Sequence, residues 1–292
     1  MLKKVAIYSK GSRPKTTEGV SRLIEAFCRK GVRMLIYQTP GNEIICPGME
    51  FIERFDNIDN LEELPDLVLS VGGDGTFLET MLKVRGSGIP IAGVNTGRMG
   101  FLANISEDEI SHSIDLLCEG RFKIIERSLI EIINPGELFE SGASTALNEV
   151  TIQKADPSMI TINVWVDDTY LNTYWADGLI VSTATGSTAY NLSVGGPILS
   201  PEDESIIISP ISPHNLTIRP IIISGESNLK MTVEGRADEY IATCDFRSRR
   251  LPFTEAISIS RSSEKLKTVM PEGMDFYSTL RNRLMWGADR RN

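Results

Sequence analysis

Four cysteines in 292 residues, Cys28, Cys46, Cys118 and Cys244, lie far apart with no C-x-x-C pair, and only His112 and His214 could join them as ligands. Such spacing excludes a disulfide framework and argues against a structural zinc site. The expectation is four reduced, mostly buried thiols in a cytoplasmic protein. Positive charge is short as well. Thirty Lys and Arg stand against thirty-nine Asp and Glu, a net charge of −9, which excludes a broad basic surface for nucleic acid or anionic lipid. Long apolar runs are missing: Val5–Tyr8, 206–208 and 221–223 are far short of the roughly 20 residues that span a membrane. The first of these is also too short for a signal-peptide core and reads as a strand. Without a route to secretion, the N-x-[ST] sequons at Asn104, Asn191 and Asn215 carry no weight. What remains is ordinary globular composition, 41% hydrophobic and 24% charged, over a length of roughly two domains.

The first hundred residues alternate strand-like and helix-like patterns. Strands are predicted at 5–8, 32–37, 67–71 and 89–94. Val20, Leu23, Ile24 and Phe27 recur at helical spacing up to Gly31, and further helices are predicted at about 76–85 and at 110–117, the last closing at Gly120. This rhythm implies a mostly parallel sheet covered by helices, with ligands at the carboxyl ends of the strands. Beyond Gly120 the pattern turns to short strands, at 122–133, 146–153, 160–166, 179–183, 206–208, 221–224, 229–233, 240–244 and 257–260, with room for one short helix at 187–194. After Pro271, Phe276, Leu280 and Leu284 repeat every four residues, a helix ending at Gly287. A lone helix must dock, and the helical first domain is its natural host. The expected organisation is an α/β domain at 1–120, a mostly β domain at 121–268 separated from it by a cleft, and a C-terminal helix at 269–292 packed back on the first domain.

Gly72-Gly73-Asp74-Gly75-Thr76 lies directly between a predicted strand and a predicted helix. Glycines let backbone amides approach a ligand, and the helix start offers free N–H groups and positive dipole, the elements of a phosphate cradle. The Lys of a Walker A loop is absent and an Asp sits in its midst. A carboxylate beside phosphate repels the ligand unless it binds a cation or accepts a proton. The plainer reading is a tight turn with Asp74 or Thr76 capping the helix. From Ser182 to Ser193 seven hydroxyls accumulate, on Ser182, Thr183, Thr185, Ser187, Thr188, Tyr190 and Ser193. Such a segment can bind sugar, phosphate or a base edge, with Tyr190 available for stacking. Asn148-Glu149 suits a pair of ribose hydroxyls, against the plainer reading of an exposed strand-end pair. The Asn95–Leu102 loop follows the fourth strand and should lie beside the GGDGT loop, making Arg98 a candidate phosphate neighbour.

Together these blocks resemble the NAD kinase family: GGDGT at 72–76, NTGRMGFL at 95–102, LNEV at 147–150, DGLIVSTATGSTAYNLSVGGP at 177–197 and PHNLTIRP at 213–220. The resemblance implies an α/β domain followed by a β-rich domain, and transfer of the γ-phosphoryl group of ATP to the 2′-hydroxyl of the adenosine ribose of NAD. It implies Asp74 as the base, with Gly72, Gly73, Gly75 and Thr76 at the phosphates. Asn148 and Glu149 would contact ribose hydroxyls, Asp177 the nicotinamide side, and Thr188, Ala189, Tyr190, Asn191, Leu192 and Ser193 the dinucleotide pocket. Mg²⁺ or another divalent cation is expected on the ATP phosphates. The implied assembly is a homodimer or homotetramer, with no nucleic-acid or membrane partner. Two positions depart from the family pattern: Ala184 stands where Pro is common, and Arg247 where Gln is common in a stretch resembling Cys244–Arg247. Arg247 is therefore a candidate nucleotide contact, or a surface Arg among Arg249 and Arg250. GGDGT is also shared with diacylglycerol kinases, so a lipid kinase and a non-catalytic NAD(P) sensor are the alternatives.

Overall fold

The structure, a computed structural model, describes residues 2–10, 14–39, 52–97, 100–136, 138–139, 144–236 and 238–286. Cys46, Arg98 and the expected helix end at Gly287 lie outside these residues. The chain divides into two compact units, Met1–Ile125 with Lys267–Asn292, and Glu126–Leu266.

The first unit begins with β1 (Lys4–Ser9), α1 (Pro14–Lys30), β2 (Arg33–Tyr37) and β3 (Glu53–Phe55). It continues with β4 (Leu67–Gly72), α2 (Asp74–Val84), β5 (Ile91–Asn95), β6 (Ile105–Ser106) and α3 (Ile110–Cys118). The strands pair in parallel in the order β5-β4-β1-β2-β3. Every residue of β1, β4 and β5 is buried, as a sheet covered on both faces requires. Helix α1 starts at Pro14, where a missing N–H is harmless, and ends at Gly31 with φ 68°, where glycine alone avoids strain. Its buried face is Val20, Leu23, Ile24 and Phe27, the predicted stripe. Cys28, bordering that stripe, is exposed, Cys118 is half-buried and Cys244 is buried, so the expectation of mostly buried thiols holds fully for Cys244 alone among the described three.

Strand β7 (Phe122–Asn134) carries the chain into the second unit. There follow β8 (Thr145–Ala146), β9 (Glu149–Lys154), β10 (Ile160–Val166), β11 (Thr169–Ala176) and β12 (Gly178–Ser182). A 3₁₀ turn at Thr185–Thr188 and the single turn α4 (Tyr190–Ser193) occupy the position of the expected short helix. Then come β13 (Ile206–Ile211), β14 (Ile221–Ile223), β15 (Leu229–Glu234), β16 (Glu239–Cys244), β17 (Arg247–Pro252) and β18 (Ile257–Pro271), and the chain returns to the first unit with α5 (Phe276–Leu284). Six strands form an antiparallel sheet in the order β14-β13-β12-β9-β16-β17, and β11-β10-β15-β18 form another antiparallel set. The core between them is aliphatic, built from residues such as Ile152, Ile162, Val181, Ile208 and Met231.

Four strands were not foreseen: β6, which is only two residues long and pairs with β5, and three that each end their strand order. Strand β3 has no buried residue, β11 buries only Tyr174 and Ala176, and β17 buries only Leu251 between Arg250 and Pro252. Polar edge strands resist unwanted pairing, and that polarity erases the hydrophobic signal. Strand β18 runs eleven residues past the expected end at Ser260 because Leu266, Thr268, Val269 and Met270 stay buried within a Lys- and Ser-rich sequence.

Candidate active site

In the first unit the GGDGT segment bridges β4 and α2 as expected, but Asp74 caps nothing. Gly73 occupies the N-cap position without a side-chain bond, and Asp74 is the first helical residue. Its carboxylate reaches across to the loop after the neighbouring strand β5. Oδ2 accepts the backbone N–H of Phe101 at 2.8 Å, and Oδ1 accepts those of Leu102 and Ala103, both at 3.1 Å. The parallel β4–β5 pairing, with Gly72 opposite Asn95, brings the two loops side by side. Gly100 permits the approach, since a Cβ there would sit 2.0 Å from the Asp74 carboxylate. Thr76 folds its side chain back over Gly72, where a Cβ would meet its hydroxyl at 2.3 Å.

The second unit repeats the device. Asp245 is the first residue of the two-residue loop joining β16 to β17 and takes φ 52°, a left-handed conformation that Asp tolerates. Its carboxylate accepts the N–H groups of Leu147 at 3.0 Å, Asn148 at 2.8 Å and Glu149 at 3.3 Å. Burial raises the Asp245 pKa, while the three amides and Arg247 oppose the rise. The result is that Asn148-Glu149 is not an exposed strand end: Glu149 is 8% exposed and its Oε2 has no partner among the described residues. Burial and the Asp245 charge lift the Glu149 carboxyl to about 8, against a hydrogen bond from the Tyr190 backbone N–H. At neutral pH it is mostly protonated. The Asn148 carbonyl accepts from the Thr183 N–H at 2.9 Å, and Gly186 passes so close that a Cβ there would lie 2.0 Å from that oxygen.

The hydroxyl-rich segment divides by role. Thr183 Oγ1 donates to the Leu147 carbonyl at 2.5 Å and accepts from the Gly186 N–H, and Ser187 Oγ accepts from the Leu199 N–H. Asn191 is fully buried, its amide donating to the Ser187 and Pro197 carbonyls and accepting from Ser209 Oγ. These groups build the loop. Tyr190 and Ser193 are exposed, and Thr188, Ala189 and Leu192 are half-buried, so they are the surface it presents. Arg247 is not a simple surface residue: it donates to the Thr145 carbonyl at 2.6 Å and lies 5.2 Å from the Phe139 ring centroid. Asp177 stands apart. In the β9–β12 ladder Ser182 faces Glu149 and Gly178 faces Gln153, so Asp177 is at the other end, about 17 Å along the strand from Glu149 at about 3.4 Å per residue. There it pairs with Lys154 at 2.6 Å.

Asp245, Gly100, Gly186 and Lys154 were missed as site-building residues. A D-F-R hairpin loop and a glycine two residues past a basic position give no periodic signal; only the paired geometry reveals them.

Residues 18–122 match the ATP-NAD kinase N-terminal domain and residues 147–270 the ATP-NAD kinase C-terminal domain. The chain belongs to the NAD kinase family. An NAD kinase of Cytophaga hutchinsonii is 39% identical across 94% of both chains, and one of Christiangramia forsetii is 37% identical across 99% of this chain and all of that one. An NAD kinase from Archaeoglobus fulgidus, solved in complex with ATP, matches with a TM-score of 0.75 and 26% identity over 97% of this chain and 98% of that one. Yeast NADH kinase, solved with NADH, shares the fold at a TM-score of 0.84 and 22% identity over 99% of this chain and 89% of that one. As an NAD kinase family member the chain is a phosphotransferase. Among the described residues no helix is long and apolar enough to cross a membrane, and no three His, Cys, Asp or Glu side chains cluster as metal ligands.

Proposed function

We propose that the protein transfers the γ-phosphoryl group of ATP to the 2′-hydroxyl of the adenosine ribose of NAD, with Asp74 as the base. The observation that carries this reading is the posture of Asp74. A carboxylate offers about four acceptor directions, two on each oxygen. Two amides occupy Oδ1 and one occupies Oδ2, which leaves one direction on Oδ2 for a hydroxyl proton. The three bonds fix the carboxylate before substrate arrives, and phosphoryl transfer depends chiefly on such positioning.

Around that step the other residues bind and orient. The amides of Gly73, Gly75 and Thr76 at the head of α2 face phosphate oxygens with the positive end of the helix dipole. Asn148 and the protonated Glu149 take ribose hydroxyls, Glu149 through the unpartnered Oε2. Thr188, Ala189, Tyr190, Leu192 and Ser193 line the dinucleotide, and Asn191 shapes their loop from within. Asp177, at the far end of the β9–β12 ladder, suits the nicotinamide end of an extended dinucleotide, and Arg247 supports the nucleotide through the Thr145 and Asp245 turn. Mg²⁺ or another divalent cation would neutralise the ATP phosphates. The donor set suits a cation held by phosphate and water, because the Asp74 oxygens are already engaged by amides. The net charge of −9 supports a protein without a nucleic-acid or lipid partner. We take its setting to be cytoplasmic and its assembly a homodimer or homotetramer.

Purified protein incubated with NAD, ATP and Mg²⁺ should form NADP, read by an NADP-specific coupled dehydrogenase. Absence of NADP with any phosphoryl donor would overturn the proposal. Calorimetric NAD binding without turnover would then indicate a sensor, and phosphorylation of diacylglycerol in vesicles a lipid kinase.

A further inference from the structure

Helix α5 brings one charged side chain to the loop that holds Asp74. Asp275 caps the helix, its Oδ1 accepting the Ser278 N–H at 2.9 Å, and Leu280 is its only buried residue. Arg283, three residues further on, shares the Leu280 face. Its Nη2 donates to the Ala103 carbonyl at 3.3 Å, and its guanidinium lies 5.8 Å from the Phe101 ring centroid. Phe101 and Ala103 are the two ends of the amide trio that carries the Asp74 carboxylate.

The rest of this corner is poorly satisfied. Arg283 Nε and Nη1 are shielded from solvent with no hydrogen-bond partner among the described residues, and so is Asn104 Oδ1 in the same loop. Burial pulls the Arg283 pKa below its ordinary value, and the charge of Asp74 opposes that pull. A corner shaped for stability alone would place an apolar side chain here, because unmade buried hydrogen bonds destabilise the fold. The one compensating relation in view is to Asp74 and its loop.

We infer that Arg283 is a positioning residue for Asp74: it clamps the Phe101–Ala103 loop from behind and sets a fixed positive charge facing the carboxylate. The inference rests on the proposed kinase chemistry and adds to it a residue outside every motif the sequence offered. Clamping acts on the reacting geometry and not on NAD binding, so its signature is a change in kcat with KM unaltered.

The test compares wild-type protein with Arg283→Met and Arg283→Lys in NADP formation, with thermal unfolding measured alongside. Arg283→Met should lose about 10²-fold in kcat with KM for NAD unchanged. Arg283→Lys keeps the charge but not the planar fork and should lose only about 10-fold. Arg283→Met with wild-type kcat overturns the inference, as does a rise in KM with kcat intact. Should Arg283→Met fail to fold, Arg283→Lys decides: lowered kcat at constant KM upholds the assignment, and unchanged kcat overturns it. A wild-type protein that makes no NADP refutes the kinase proposal itself and not this clamp, so the two failures are distinguishable.

Discussion

Replacing Glu149 by Gln should change how stability depends on pH. The carboxyl titrates at 4.5 in an unfolded chain and at about 8 in the folded one, because burial and the neighbouring Asp245 charge disfavour its ionised form. Between those values the folded state holds one more proton than the unfolded state. The slope of unfolding free energy is then 2.303RT times (0 − 1), about −1.4 kcal/mol per pH unit. The stability this group contributes is therefore present in full below pH 4.5, is lost as pH rises through 8, and changes no further above that. Gln has nearly the same shape and does not titrate. From pH 5.5 to 7.5 the wild-type protein should lose about 2 to 3 kcal/mol relative to Glu149→Gln. Urea unfolding at pH 5.5, 6.5 and 7.5, with equal m-values for the two proteins, measures this directly. Parallel stability curves, or a wild-type protein that gains on the variant as pH rises, would refute the assignment of Glu149 as a buried, protonated acid.

Asp74→Asn keeps an oxygen for two of the three amides but turns an NH₂ toward the third and cannot accept a proton, so NADP formation should fall by about 10² to 10⁴-fold in steady-state assays. Gly100→Ala drives a methyl to 2.0 Å from the same carboxylate and should cost about 10²-fold in kcat while far-UV circular dichroism stays unchanged. Lys154→Ala removes the partner of Asp177, a pair about one-third exposed, and should lower stability by less than about 1 kcal/mol in urea melts while altering KM for NAD and leaving kcat alone.

The parallel half of the fold was legible because β1, β4 and β5 are short, mostly apolar runs and α1 carries a clean stripe at helical spacing. Adjacency of the GGDGT and Asn95–Leu102 loops followed from that parallel order, and the amide bonds to Asp74 are its realisation. Edge strands such as β17 were illegible because exposed Arg and Ser carry no core signal. Glu149 was misjudged for a related reason. A carboxylate beside an amide reads as surface, and only the carboxylate of Asp245, distant in sequence, explains how three successive amides and the acid they precede become buried together. Arg283 illustrates the limit of periodicity: Phe276, Leu280 and Leu284 marked α5, but the structure buries Leu280 alone of the three and brings in a charged residue that the repeat does not mark.

The return of the chain along β18 has a consequence for how the protein is made. Residues 126–266 form one uninterrupted stretch, whereas the first unit needs residues 267–286 to complete it. On the ribosome the β-rich unit can therefore close while the first unit still lacks its final strand segment and α5. The Asp74 loop is translated early and acquires Arg283 only after the whole β-rich unit has been synthesised. Completion of the first unit therefore follows synthesis of the second, although the β5-β4-β1-β2-β3 pairing lies wholly within the residues translated first.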